Sequence, residues 1–328
     1  MSPPVYYHQP VPPVSLAAGR RKAGLERGIG LRYSRTVLHR LVYADWDDPP
    51  ECMAFEAPYE EVLTRIQALL PGILDGKEKA LAAPAEMPAR YWDDCVSLYL
   101  LAPALVNVAL NYKVCVEQGL PLHPTYYFEV GETSRFKARY PDHMITHTNE
   151  FFQASIETAR AIYALRPDAP ARLGAFIESL PEIISGFIYT STKDKYTWRA
   201  SNPSKIQDLA DYIRKHVAPA LIVGAAHGSI LSGLVLSNIL DVPVYFIRFS
   251  MFKRNDTAPI IAPSDTTYLD PYRAGPVLLF DEDVAKGTTL TKFAETLKPF
   301  FEESYTASVL RHALSPCMPD FIGRSWHD

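Results

Sequence analysis

Apolar residues recur at helical spacing through most of the first two hundred positions and gather into short continuous runs after that. "PYEEVLTRIQALLPGIL" (58–74) carries apolar residues every three to four positions, with Pro58 suited to a first turn, and predicts a helix. "VSLYLLAPALVNVALNY" (96–112) is the most apolar stretch, but Pro103, Asn107 and Asn111 interrupt it. It falls short of the roughly 18 uninterrupted apolar residues of a membrane span and predicts a buried helix. Residues 146–165 begin with capping-type side chains and continue as an apolar stripe. Residues 171–189 predict a helix broken near Pro181, and residues 124–143 a strand or an irregular loop. No internal repeat is evident.

Past residue 200 the pattern changes. "NPSKIQDLADYIRKH" (202–216) has a cap, a proline and an apolar stripe, hence a helix. "ALIVGAAHGS" (220–229) reads as a buried strand ending in a small-residue turn, "ILSGLVLSNIL" (230–240) as a helix and "VPVYFIRFS" (242–250) as a second strand. Residues 254–275 are polar and rich in Pro and Thr, as in a mobile loop. A third strand is expected at 276–280, a helix at 290–303 and a fourth strand at 306–312. Apolar strands alternating with helices predict an α/β fold with a parallel sheet, whose ligands bind at the carboxyl ends of the strands. The expected organisation is a Pro-rich and basic arm (1–40), a mainly α-helical domain (41–200) and the sheet domain (201–328).

Composition narrows the function classes. Hydrophobic residues make up 48% of the 328, enough for a sizeable core, and the net charge of −4 provides no general attraction to nucleic acid or anionic membrane. Cys52, Cys95, Cys115 and Cys317 are widely spaced, which suits reduced thiols in a cytoplasmic protein. The first residues lack the order of a signal peptide. The basic segment 17–40 reads as a solvated arm or subunit contact, with RNA binding as the minority reading.

The candidate chemistry lies in "VLLFDEDVAKGTTL" (277–290). Asp281 and Glu282 end a buried strand, where unpaired charge is costly, so packing does not explain them. They suit vicinal hydroxyls or a metal with oxygen ligands. Ala285, Lys286, Gly287, Thr288 and Thr289 follow as a small, hydroxyl-bearing turn into a helix, whose unpaired N–H groups attract phosphate. The GxxxxGK[ST] spacing of a Walker loop is absent. A phosphate cradle beside two hydroxyl acceptors describes a ribose 5-phosphate site.

This stretch resembles the phosphoribosyl diphosphate (PRPP) binding motif of type I phosphoribosyltransferases, and the resemblance extends over residues 201–328. It implies that Ala285–Thr289 hold the 5-phosphate, that Asp281 and Glu282 serve catalysis and Mg²⁺, and that Ala225, Ala226, His227, Gly228 and Ser229 form a pyrophosphate loop. His227 is equally well a partly exposed turn histidine. Arg248 and Lys253 are expected near the leaving group, with 252–275 closing over PRPP. "PDFIG" (319–323) is similar to a base-binding stretch of hypoxanthine-guanine-type members, which implies acceptor contacts from Phe321, Ile322 and Arg311 and a metal role for Asp328. Asp283 stands where members carry an apolar residue, and Ala285 where purine-salvage members carry an aspartate. The implied activity is Mg²⁺-dependent transfer of phosphoribosyl from PRPP to a small ring acceptor in a homodimer, without nucleic acid or membrane partners. A non-catalytic PRPP or nucleotide sensor is the alternative. "HMITHTNE" (143–150) lacks a zinc protease pattern, "WDD" (92–94) suits a structural polar face, and "TSTKDKYTWR" (190–199) reads as an interdomain linker or an acceptor wall.

Overall fold

The computed structural model describes residues 37–251 and 254–327. Lys253, Asp328 and nearly all of the expected arm lie outside them. The helical region opens with β1 (Phe55–Pro58), α1 (Tyr59–Ala82), α2 (Ala89–Leu101), α3 (Pro103–Gln118), α4 (Asp142–Tyr163), α5 (Ala169–Glu178) and α6 (Glu182–Ser185). It closes with β2 (Ile188–Ser191), α7 (Lys195–Ala200) and α8 (Pro203–His216). The rest is β3 (Leu221–Ala226), α9 (Ile230–Leu240), β4 (Val244–Arg248), α10 (Pro263–Leu269), β5 (Pro276–Val284), α11 (Thr288–Leu297), β6 (Glu303–His312) and β7 (Phe321–Trp326). β3 to β7 form one five-stranded sheet of order β4-β3-β5-β6-β7, parallel throughout. β3 and the apolar part of β5 are fully buried, as continuous apolar runs in a two-sided sheet require.

The periodic segments appear where expected, with informative differences. The apolar stretch 96–112 is split between α2 and α3, because Pro103 has no N–H to continue α2 and starts α3 instead. Of the most apolar part of these two helices, 89% is buried inside the protein. Residues 171–189 end as strand rather than helix, since Ile188–Ser191 pairs antiparallel with Phe55–Pro58. β7 was not foreseen at all; it docks parallel to β6 with Ala307 opposite Phe321. Of residues 124–143, those up to 141 are irregular apart from one short 3-10 turn, and the last two begin α4.

The helical region and the sheet share one apolar core, which runs from Leu38 to Phe321. Buried charge also joins them. Lys113 of α3, 1% exposed, reaches Asp265 of α10 at 2.6 Å and Glu117 at 3.2 Å. Asp265 also accepts from the Tyr245 hydroxyl at 2.7 Å and from the Ala262 N–H at 2.7 Å. Residues 254–275 therefore depart from the expected mobile loop: they contain α10 and are pinned to α3. Lys113→Met would leave two buried carboxylates without their cation, and we expect a loss of about 3–5 kcal/mol in urea unfolding, the usual cost of orphaning one half of a buried pair.

Candidate active site

β5 continues four residues past the expected end at 280, to Val284, and in doing so carries its acids to the carboxyl edge of the sheet. Asp281 pairs in register with Ser308, Asp283 with Leu310 and Val284 with Arg311. The chain then turns through Gly287, whose φ of 76° is left-handed and which meets the Cys317 side chain so closely that a Cβ there would lie 2.0 Å from Cys317 Cβ. Gly287 is the N-cap of α11 and supplies no side-chain cap, so the first N–H groups of the helix are left for another acceptor. α7 crosses the same edge. Its N-cap Asp194 accepts from the N–H groups of Tyr196 and Thr197 at 3.0 and 3.2 Å.

These elements enclose a cavity of about 410 Å³. All of residues 285–289 line it, together with Asp281, Glu282 and Asp283. Ala225 at the end of β3, with His227 and Gly228 of the β3–α9 loop, forms another wall, and Asp194, Tyr196 and Thr197 a third. Ala226 and Ser229 are buried instead: the Ala226 carbonyl accepts from Phe249 N–H and the Ser229 hydroxyl donates to Ala225. Asp283, the departure from the family pattern, sits 3.1 Å from His312 Nε2, and the Tyr196 ring lies 5.4 Å from the His312 ring.

Both acids are deeply placed. Burial raises the Asp281 carboxyl to about 6, helped by the nearby Asp283 charge, although hydrogen bonds from Glu282 oppose the shift. Burial, then repulsion from Asp281, raises Glu282 well above the usual carboxylate range. Glu282 Oε2 is buried with no hydrogen-bond partner, and Oε1 presses on Gly228 so that a Cβ there would stand 1.8 Å away. Two crowded carboxylates with an unused oxygen suit an oxygen-ligated cation or hydroxyl donors, which would supply the missing partners. Among the described residues no group of three or more His, Cys, Asp and Glu is arranged as a metal cage.

Other expected site residues lie elsewhere. Arg248 is 1% exposed and clamped between Glu129 and Asp256, so its charge is spent inside the protein and does not line the cavity. Arg311 is bonded to the carbonyls of Cys317, Ala313 and Ser315 and fastens the β6–β7 turn. Phe321 and Ile322 open β7 level with Phe280 and Asp281, two strands away across β6, where Phe321 packs on Tyr212 of α8 and on Tyr305. None of the three lines the cavity that holds the acids, because Phe321 packs against α8 and Arg311 is taken up by turn carbonyls, which a five-residue match does not reveal. Conversely, 190–199 is more than a linker: Asp194, Tyr196 and Thr197, at the start of α7, line the cavity. Its signal was the Asp194 cap ahead of Tyr196 and Thr197.

No protein-family model matches this chain, and no curated protein does. Solved structures similar to it include a purine phosphoribosyltransferase from Pyrococcus horikoshii, 24% identical, spanning 39% of this chain and 86% of that one at a TM-score of 0.32. A hypoxanthine phosphoribosyltransferase from Staphylococcus aureus is 17% identical over 38% and 76%, at 0.31. An orotate phosphoribosyltransferase from Aeropyrum pernix is 17% identical over 39% and 70%, at 0.29. The matches fall on the C-terminal sheet and leave the preceding helical region unmatched.

The raised carboxyls have a stability consequence. The folded state holds these protons to higher pH than the unfolded chain does, so stability falls as pH rises above the ordinary carboxylate range of about 4, through 6 and beyond. The neutral pair Asp281→Asn/Glu282→Gln should therefore melt at a higher temperature than the wild type at pH 8 without ligand. Near pH 4.5, where both acids are already largely protonated in the fold, calorimetry should show almost no difference.

Proposed function

We propose that the protein is a Mg²⁺-dependent phosphoribosyltransferase that moves the 5-phosphoribosyl group of PRPP to a ring nitrogen, releasing pyrophosphate. The observation that carries the reading is the single cavity in which a buried acid pair, an uncapped helix N-terminus and the β3–α9 loop converge. The N–H groups at 286–289 and the hydroxyls of Thr288 and Thr289 receive the 5-phosphate. Asp281 and Glu282 accept from the ribose hydroxyls, and their charge faces the ribosyl cation that develops at C1. The backbone at 225–229 receives the diphosphate. The acceptor nitrogen forms its bond to C1 as the C1–O bond breaks, the electron pair leaves with pyrophosphate, and the nitrogen's proton is lost to solvent or to the leaving group.

The carboxylates of Asp281 and Glu282 are the groups that would hold magnesium, which supplies neutralisation of the diphosphate charge when bound. Everything else falls to positioning and to the exclusion of water beneath α7, which brings C1 and the acceptor together. Arg248 takes no part in this scheme; its partners Glu129 and Asp256 already neutralise it.

Calorimetric titration of PRPP should show binding that requires Mg²⁺ and disappears in Asp281→Asn/Glu282→Gln. Absence of binding to folded wild type would remove the transferase reading. Binding without pyrophosphate release across ring acceptors would leave a PRPP sensor instead. Gly228→Ala gives a finer probe. Its methyl group must push the Glu282 carboxylate aside, and the cavity offers that flexible end somewhere to go. The variant should fold with a cost no greater than about 1–3 kcal/mol, yet bind Mg²⁺–PRPP at least about tenfold more weakly.

A further inference from the structure

A second cavity of about 340 Å³ adjoins the first and shares Asp194, Thr197, His227 and Gly228 with it. The sugar-phosphate chemistry uses only its shared edge at His227 and Gly228. Its wall is supplied largely by the helical region: Leu100, Pro103 and Asn111 from α2 and α3, and Ile188 and Thr190 from β2. The surface is mostly apolar, interrupted by two unsatisfied polar atoms. Asn111 is 4% exposed; its amide nitrogen donates to Asn107 Oδ1 at 3.0 Å, while its own Oδ1 is buried with no partner. Arg254 points its Nε toward Glu129 at 3.6 Å and lies over the Tyr127 ring, leaving Nη2 buried with no partner. Burial and the neighbouring Arg248 charge lower its pKa, so a hydrogen-bond acceptor placed there would be welcome.

Buried polar atoms without partners are uncommon, and two in one cavity, one acceptor and one donor, specify what should fill it. A diphosphate would find one guanidinium and no lysine, set beside the Asp194 carboxylate, too little positive charge for its own. A flat ring with an N–H at one place and a carbonyl oxygen at another satisfies both atoms and covers the apolar wall. The size also fits a one- or two-ring molecule. We infer that this cavity is the acceptor pocket, and that the acceptor is a carbonyl-bearing nitrogen heterocycle whose ring N–H donates to Asn111 and whose carbonyl accepts from Arg254. This inference rests on the phosphoribosyl reading of the neighbouring cavity. It moves acceptor recognition away from the Phe321 edge of the sheet and makes the helical region the source of specificity. The opening past Asp194 and Gly228 leads such a ring toward C1.

The test uses the full-length protein and 2-pyridone, which has one ring N–H and one carbonyl, followed by ligand-observed NMR titration. PRPP binding is measured in parallel. Wild type should bind 2-pyridone, and N-methyl-2-pyridone at least about tenfold more weakly, because its methyl group removes the donor. Asn111→Leu and Arg254→Met should each weaken 2-pyridone about tenfold with PRPP affinity unchanged. If Asn111→Leu does not fold, the methylated probe and Arg254→Met decide. Absent binding, equal binding of the two pyridones, or indifference to both substitutions would overturn the pocket assignment even where PRPP binds normally. A missing PRPP response beside the expected pyridone pattern would instead overturn the phosphoribosyl reading and leave a lactam-binding cavity.

Discussion

Two carboxylates forced together at the end of a buried strand are the constraint around which this protein is arranged. Asp281 and Glu282 are carried to the carboxyl edge because β5 sits at the centre of a parallel sheet, flanked by β3 and β6. Their placement costs stability whenever they ionise, since burial raises both, with the Asp283 charge adding to it at Asp281 and the Asp281 charge at Glu282. Neighbouring residues preserve the arrangement: Gly228 leaves space for the Glu282 carboxylate, and Gly287 turns the chain against Cys317 so that α11 points its N-terminus into the same cavity. A site that crowds buried acids, one with an unpartnered oxygen, suits the cation and hydroxyl donors of the charged ligand we propose.

The helical region is fused to this sheet by charge as well as by apolar packing. Lys113 with Glu117 and Asp265, and Arg248 with Glu129 and Asp256, tie α3 and the 124–140 segment to the chain that follows β4. Such buried networks confer geometric definition more than net stability. Their consequence is that α10 is held in place, and that in the proposed enzyme water exclusion falls to α7. The same fusion creates the second cavity, whose wall no isolated sheet domain would possess. In the proposed enzyme the sheet supplies the sugar-phosphate chemistry and the helices choose what the sugar is joined to.

How much of this was legible beforehand depended on the distance along the chain over which each feature is decided. The acid pair, the phosphate turn and α11 lie within fourteen consecutive residues, so strand ending, turn and helix start follow from neighbours that the pattern displays together. The same holds for β3, α9 and β4, where continuous apolar runs announce burial on both faces. β1, β2 and β7 escaped notice because each is short and becomes a strand by pairing, with partners that for β1 and β2 lie more than a hundred residues apart. Arg248 looked available because Glu129 and Asp256 could not be seen beside it, and Phe321 looked like a base contact because its packing against Tyr212 of α8 could not be seen. By itself, then, the sequence determined the local chemistry: which residues end a strand, free a helix terminus or bear charge. Only the tertiary structure decided which of those charges are already paired, which aromatic faces the site, and that Asn111 and Arg254 share a cavity, because burial and pairing are set by groups that meet only when distant segments pack together.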